Sequence, residues 1–197
     1  MQYALLGDFH SHFKNTKKVL KHIKKTAPNA TIIGLGDLYE CRISKKKAQT
    51  VRNVALEDAA IISDKFESLI TFPSIIGNQE ERIALVTGLQ RFLNYDEKIF
   101  IEQATLVHGH QFEWDEQFEP TFPEVGTPLL FFGHSHRAAI YINDVRRSVT
   151  YDTPLDVKDQ PYKINVGSIV ETAEWCLYDS DAMTVTFKRS KDVTAKK

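Results

Sequence analysis

Six of the seven histidines in this chain fall into three His-x-His pairs, His10/His12, His108/His110 and His134/His136, and only His22 stands apart. The first pair follows Asp8 in Gly7-Asp8-Phe9-His10, and two further oxygen donors, Asp37 and Asn78, each stand directly behind a glycine. A carboxylate and an imidazole two residues apart can converge on one metal ion. An extended His-x-His pair turns both rings to one face. At a strand-to-loop junction the local bend decides which member reaches inward, so the spacing nominates pairs without choosing within them.

Each nominated residue stands where an apolar run stops. Tyr3-Ala4-Leu5-Leu6 precedes Asp8, Thr31-Ile32-Ile33-Gly34-Leu35 precedes Asp37, and residues 72–76 precede Gly77-Asn78. Two later runs end at His108-Gly109-His110 and Gly133-His134-Ser135-His136. Between the first two, Phe13, Leu20, Ile23 and Ala27 recur at helical spacing with Lys14, Lys17, Lys18, Lys21, Lys24 and Lys25 on other faces, and Pro28-Asn29 ends the pattern. Such a lysine-rich face is ordinarily a solvated one. The basic run Lys45-Lys46-Lys47 then leads into a long helical pattern through Val51, Val54, Ala55, Ala59, Ile62, Phe66 and Leu69, with a third strand over 69–76. The order strand, helix, strand, helix, strand puts the ligand types at carboxyl ends of strands, where open α/β sheets carry ligand sites.

From Lys98 onward the periodicity becomes that of short alternating strands, over 99–103, 104–107, 127–132, 138–143, 145–152, 162–166, 175–178 and 183–188. Residues 111–126 fit neither pattern. They interleave Phe112, Trp114, Phe118 and Phe122 with Glu113, Asp115, Glu116, Glu119 and Glu124. A loop this long is either an overhang of the histidine corner or a surface excursion anchored by its aromatics, and both readings stand. In the first, its carboxylates disfavour a nucleic-acid strand while Phe112 or Trp114 offers a base a stacking face. Residues 190–197 read as a loose tail.

With 197 residues, 42% of them apolar, one domain over 1–197 with a substantial core is expected. A net charge of −1 argues against a wholly basic nucleic-acid-binding surface. Two cysteines, Cys41 and Cys176, are no disulfide framework, and no leader-like segment opens the chain. No apolar run approaches the roughly 18 residues of a spanning helix. The expectation is a cytoplasmic protein with no membrane partner, its oligomeric state open.

The ordered series Gly-Asp-x-His, Gly-Asp, Gly-Asn, His-Gly-His and Gly-His-Ser-His, from Asp8 to His136, resembles that of the calcineurin-like metallophosphoesterases. Its last two forms, with Ile164-Asn165-Val166-Gly167-Ser168, are similar to those of the small single-domain bacterial and archaeal phosphodiesterases. The resemblance runs from residue 2 to about residue 190. It implies an α/β fold, a four-layer αββα sandwich of two mixed β-sheets flanked by helices. It also implies that Asp8, His10 and His136 hold one divalent ion, that Asn78, His108 and His134 hold a second, and that Asp37 bridges the two. Mixed Asp/Asn/His sets suit Mn²⁺ first, with Fe, Zn, Ni or Co as alternatives, rather than Ca²⁺ or structural zinc. Two ions about 3.5–4 Å apart share a water, lower its pKa toward 7 and present it as hydroxide to phosphorus. The expected activity is hydrolysis of a small phosphodiester or nucleotide. Rivals are a phosphomonoesterase or dinucleoside-polyphosphate hydrolase and, outside enzymes, a protein-binding scaffold such as the retromer subunit of the same fold.

Two departures from the family pattern bear on catalysis. Many members read Gly-Asn-His where this chain has Gly77-Asn78-Gln79. Gln79 can hydrogen-bond a phosphoryl oxygen but cannot donate a proton at neutral pH, losing about 10²- to 10⁴-fold unless His12, His110 or a metal-bound water substitutes. The phosphatase Asp-Arg-Gly triplet is absent, with Arg42 one place late, so phosphate contacts fall to Arg42, Arg137, His12 or Asn78. The catalytic set is then Asp37, Asn78, Gln79 and His110.

Overall fold

The computed structural model describes residues 1–190. Strand β1 (Gln2–Leu6) alternates in the manner of a strand covered on both faces. Ala4 and Leu6 face a helical layer while Tyr3 and Leu5 enter the core between two sheets. Helix α1 (Phe13–Thr26) covers the first face with Val19 and Ile23 and returns the chain to β2 (Thr31–Gly34), which pairs with β1 in parallel. A small ladder of β3 (Glu40–Cys41) and β4 (Ala60–Ile61) encloses two short helices, α2 (Lys45–Ala48) and α3 (Leu56–Ala59). Beyond it lie α4 (Asp64–Glu67), α5 (Asn78–Thr87) and a 3₁₀ turn at Gln90–Leu93.

The second half is strand-rich, as its periodicity requires. It comprises β5 (Lys98–Ile101), β6 (Ala104–Val107), β7 (Glu113–Trp114), β8 (Pro120–Thr121), β9 (Leu129–Phe132), β10 (Ala139–Ile142), β11 (Val145–Arg147), β12 (Leu155–Asp156) and β13 (Tyr162–Asn165). The short α6 (Ile169–Thr172) precedes β14 (Glu174–Asp179) and β15 (Thr184–Arg189). One sheet has the order β12-β15-β14-β1-β2, and the other β11-β10-β13-β9-β6-β5. Both are mixed, and they pack face to face over Leu5, Leu35, Leu106, Phe131, Ile164, Cys176 and Tyr178. The expected α/β sandwich is therefore present. On the outer face of the second sheet, Leu130, Phe132, Ala139 and Tyr141 pack under Phe112, Trp114 and Phe122 of the aromatic segment.

Three local expectations give way. The pattern over 51–69 forms α3, α4 and the β4 edge, not one helix, because Ala60–Ile61 is drawn into pairing with Glu40–Cys41 and Ser63 caps a fresh start at α4. The supposed strand over 69–76 meets β2 only at a single parallel bridge, Gly34 to Ser74, and Pro73 brings no N–H to a ladder. Helix α5 was not foreseen, although Glu80 three places after Gly77 and a left-handed Gly88 at its end are start and stop signals. Ser190 is no loose end: it is buried, donates its N–H to the Ala173 carbonyl and lies 3.1 Å from His22 Nδ1. The rest of the expected tail, 191–197, lies outside the described residues. Cys41 and Cys176 are both buried free thiols, and among the described residues no helix is long and apolar enough to cross a membrane.

Phe131 is closed in between two sheets, whereas Phe112 belongs to the aromatic segment that covers the outer face of the second sheet. Phe131→Ala should cost about 3–5 kcal/mol in urea unfolding and Phe112→Ala distinctly less. Equal losses would show that the aromatic segment is as rigid as the inter-sheet core.

Candidate metal centre

Parallel pairing of β1 with β2, Leu6 opposite Gly34, makes the two chains leave the sheet side by side. Phe9 and His10 donate their N–H groups to the Asp37 carbonyl at 2.9 Å each. The second sheet arrives at the same edge, where the N–H of His134 donates to both carboxylate oxygens of Asp8, at 3.2 and 3.1 Å. Five of the nominated residues turn the chain with a left-handed backbone: Asp8 (φ 55°), His10 (47°), Asp37 (51°), His134 (66°) and His136 (59°). Each such turn at a non-glycine residue costs about 1 kcal/mol or more, and the surrounding sheets hold it. Two motif glycines make room. A Cβ on Gly77 would lie 2.3 Å from Asp37 Oδ1, and one on Gly133 would lie 2.7 Å from Asp8 Oδ2.

The donors form two groups, Asp8/His10/His136 and Asp37/His108/His134, each with ligand atoms within 4.8 Å of one another. Asp37 links them: its Oδ2 lies 3.4 Å from His108 Nε2 and 3.6 Å from His10 Nε2. His136 Nε2 is 3.4 Å from Asp8 Oδ1 and 3.1 Å from His10 Nε2. Asn78 Oδ1 lies 3.3 Å from His108 Nε2.

The partners of the opposite ring nitrogens set the tautomers. His108 Nδ1 lies 2.6 Å from the Leu35 carbonyl, His10 Nδ1 lies 2.5 Å from Glu40 and His136 Nδ1 lies 2.9 Å from Glu171. Those acceptors place the proton on Nδ1, so all three Nε2 lone pairs point at the buried Asp8 and Asp37 carboxylates. Acceptors facing acceptors in a buried site need a cation between them. His134 Nδ1 adds a buried ring nitrogen with no hydrogen-bond partner among the described residues. The residues present therefore fit divalent ions.

Charge tells the same story. Burial disfavours a charged His108, yet the neighbouring Asp37 and Asp8 carboxylates outweigh it and push the imidazole up to about 10. Burial works against a charged Asp37 as well, but His108, His10 and the Gln79 N–H hold its carboxyl well below the usual range. Asp8 is raised by burial, and His134 is lowered to about 3 by burial and the nearby His108. Without a metal, a proton on His108 serves as the cation, and His134 stays neutral.

The other nominated residues separate. His12 caps α1, its Nδ1 accepting from Asn15 N–H at 3.2 Å. The Gln79 side chain is buried, its carbonyl oxygen accepting from Cys41 N–H at 3.1 Å and from Arg82. Its main-chain N–H donates to Asp37 Oδ1 at 2.9 Å. His110 lies 5.3 Å from His108 between ring centres, with Nε2 3.2 Å from Glu81 and Nδ1 buried and unpartnered among the described residues. Arg42 and Arg137 are exposed.

Four residues that the sequence did not nominate hold the candidate ligands in place. Buried Glu80 accepts N–H groups from Asp37 (3.0 Å), Tyr39 (2.9 Å) and Gly77 (2.9 Å), fastening two ligand loops together. Asn165 donates to the Gly133 carbonyl at 2.7 Å and to Ser135 Oγ at 2.9 Å, and Glu40 and Glu171 orient His10 and His136. Glu80 stands two places after Asn78, as the third residue of α5, and was readable from that position. Glu171 was not readable, because only folding brings it to His136. The aromatic segment reaches the site too, with Trp114 and Phe118 5.3 and 5.7 Å from the His134 ring. Both readings of that segment hold, since Phe112 and Phe122 anchor it while Trp114 and Phe118 wall the site.

Residues 1–176 match the family model of the calcineurin-like phosphoesterase superfamily domain. No curated protein matches the chain. Among solved structures, a metallophosphoesterase from Sphaerobacter thermophilus is similar over 96% of this chain and 88% of its own, at 19% identity and a TM-score of 0.61. A conserved protein from Streptococcus pneumoniae described as a predicted phosphoesterase aligns over 96% of this chain and 89% of its own, with 14% identity and a TM-score of 0.51. A candidate diadenosine tetraphosphatase aligns over 97% and 94%, with 13% identity and a TM-score of 0.52. At these identities the likeness is one of fold.

A metal that displaces the His108 proton must bind more tightly as pH rises toward 10, because the metal-free site holds that proton up to about 10. Calorimetric titration with Mn²⁺ should give an affinity rising about tenfold per pH unit between about pH 6 and 8, with a heat that depends on buffer ionisation. An affinity independent of pH would contradict proton displacement.

Proposed function

From the premise that this chain belongs to the calcineurin-like phosphoesterase superfamily and is a metal-dependent phosphoester hydrolase, we propose a dinuclear enzyme that hydrolyses small phosphodiesters or nucleotides. The observation that carries this reading is the pair of ligand-type groups that Asp37 links, with the Nε2 atoms of His10 and His108 both facing its carboxylate. Asp8, His10 and His136 would hold one ion, Asn78, His108 and His134 the other, and Asp37 both. Bound there, divalent ions supply Lewis acidity toward phosphoryl oxygens and bring the pKa of water toward neutrality, and Mn²⁺ suits this donor set best.

The chain's own groups do the rest. Glu40 and Glu171 keep Nδ1 of His10 and His136 protonated, so Nε2 stays a ligand. Asn78 presents an amide N–H to a phosphoryl oxygen while its carbonyl oxygen faces His108. His110, backed by Glu81, is the residue placed to hand a proton to the departing oxygen, taking the part that Gln79 cannot. Exposed Arg42 and Arg137 form no buried clamp for a dianionic terminal phosphate, which favours diesters over monoesters.

Phe118 is the outermost ring of a stack, 4.8 Å from Trp114, which rests against His134, so it offers a base a face beside the site. Glu119 is taken up by Arg146 at 2.7 Å and Tyr141 at 2.8 Å, while Glu113, Asp115, Glu116 and Glu124 remain exposed and repel a polyanionic strand.

Hydrolysis of bis(p-nitrophenyl) phosphate should stop on chelation and return with Mn²⁺, and Asp37→Asn should lower kcat by about 10²-fold or more, beyond any other single ligand change. Full turnover by protein shown to be metal-free would overturn the mechanism. Phe118→Ala should raise KM several-fold for a nucleoside p-nitrophenyl phosphate while leaving that for bis(p-nitrophenyl) phosphate nearly as it was. Equal changes would remove the stacking role.

A further inference from the structure

A cavity of about 340 Å³ lies between α2 and α5 and shares Asn78 and His110 with the metal centre. Its wall also carries Lys45, Glu81 and Arg82. Resting on the hydrolytic reading above, we propose that this cavity binds a second, non-scissile phosphate, so that the preferred substrates carry a phosphoanhydride.

Arg82 is the main reason. One of its terminal nitrogens donates to Gln79, while its Nε–H is buried with no partner among the described residues. A buried donor left unsatisfied costs about 1–3 kcal/mol, and a phosphate oxygen is the acceptor that a guanidinium matches best. His110 contributes a second buried ring nitrogen without a partner at the same wall. Lys45, exposed at the start of α2, adds a charge at the mouth, and its field reaches His134. The carboxylate of Glu81 is drawn to His110 at 3.2 Å, which leaves the Arg82 and Lys45 charges for an anion. Of the basic run that begins at Lys45, Lys45 itself lines the cavity.

The cavity is of small-molecule size, and Asn78 stands at the boundary between it and the proposed metal site. A phosphate in the cavity is then a neighbour of one on the metals, as two phosphates joined by one bridging oxygen must be. The reaction stays a hydrolysis. The oxygen of water bonds to the scissile phosphorus, and the bond to the bridging oxygen breaks with its electron pair leaving on the second phosphate. The protons of water pass to solvent or to the departing oxygen.

The test compares kcat/KM for diadenosine diphosphate, which has one phosphate beyond the scissile one, with that for bis(p-nitrophenyl) phosphate, which has none. Lys45→Gln and Arg82→Gln in the Mn²⁺-loaded protein should each lower this ratio about tenfold or more, the effect of losing one charged hydrogen bond. Lys45→Gln alters an exposed side chain, so it carries the test even if Arg82→Gln disturbs Gln79 and fails to fold. An unchanged ratio in folded variants, or a parent that cleaves only bis(p-nitrophenyl) phosphate, would overturn the subsite. A metal-loaded parent that cleaves neither would overturn the hydrolytic reading and the subsite with it.

Discussion

Two buried carboxylates and three imidazole Nε2 atoms aimed at one another are the arrangement on which the rest of this structure depends. Asp8 and Asp37 are both buried, and isolated buried charges of one sign are among the costliest features a fold can contain. The arrangement survives because main-chain N–H groups of His134 and Gln79 donate to those carboxylates and because a cation, proton or metal, completes it. Stability and metal affinity therefore draw on the same contacts.

Holding such a cluster demands rigidity, and the support is distributed over both sheets. The left-handed turns at Asp8, His10, Asp37, His134 and His136 lie just past strand ends, where register leaves little freedom. Glu80 fastens the Asp37 loop to the head of α5, and Asn165 fastens the Gly133 turn to the end of β13. Each of these polar groups is buried, and each has its hydrogen bonds made within the loops it joins. Gly77 and Gly133 follow from this crowding, since a side chain at either would occupy the space of a ligand carboxylate.

Around the cluster the two flanks differ in character. On one, Trp114 and Phe118 pack toward His134 while Phe112 and Phe122 continue into the layer over the second sheet. One segment thus covers a core face and walls the site, which explains why its pattern is neither strand nor helix. On the other flank Lys45 and Arg82 line a cavity that borders Asn78. An apolar face and a cationic one bordering the same cluster suit a ligand that carries both a base and phosphates.

The residue types and their positions behind apolar runs were enough to nominate every member of the two acceptor groups, because metal chemistry restricts which side chains serve and strand ends restrict where they stand. Local periodicity likewise anticipated α1, β1, β2, β5, β6, β9, β10, β11, β13, β14 and β15, but not the two-residue strands β7, β8 and β12, which are too short to show an alternation. It failed over 51–76, where pairing with Glu40–Cys41 and the interruption at Pro73 outweighed a helical or strand pattern. Only the tertiary structure chose within the His-x-His pairs, sending His10 to the cluster and His12 to a helix cap, because a backbone turn between them redirects one ring. Only it turned Gln79 toward Cys41, brought Glu171 to His136 across 35 positions, and set Lys45 and His110 at one cavity with Arg82. Such pairings are made by sheets meeting at a common edge, and chain-local spacing does not encode which distant loops will meet there.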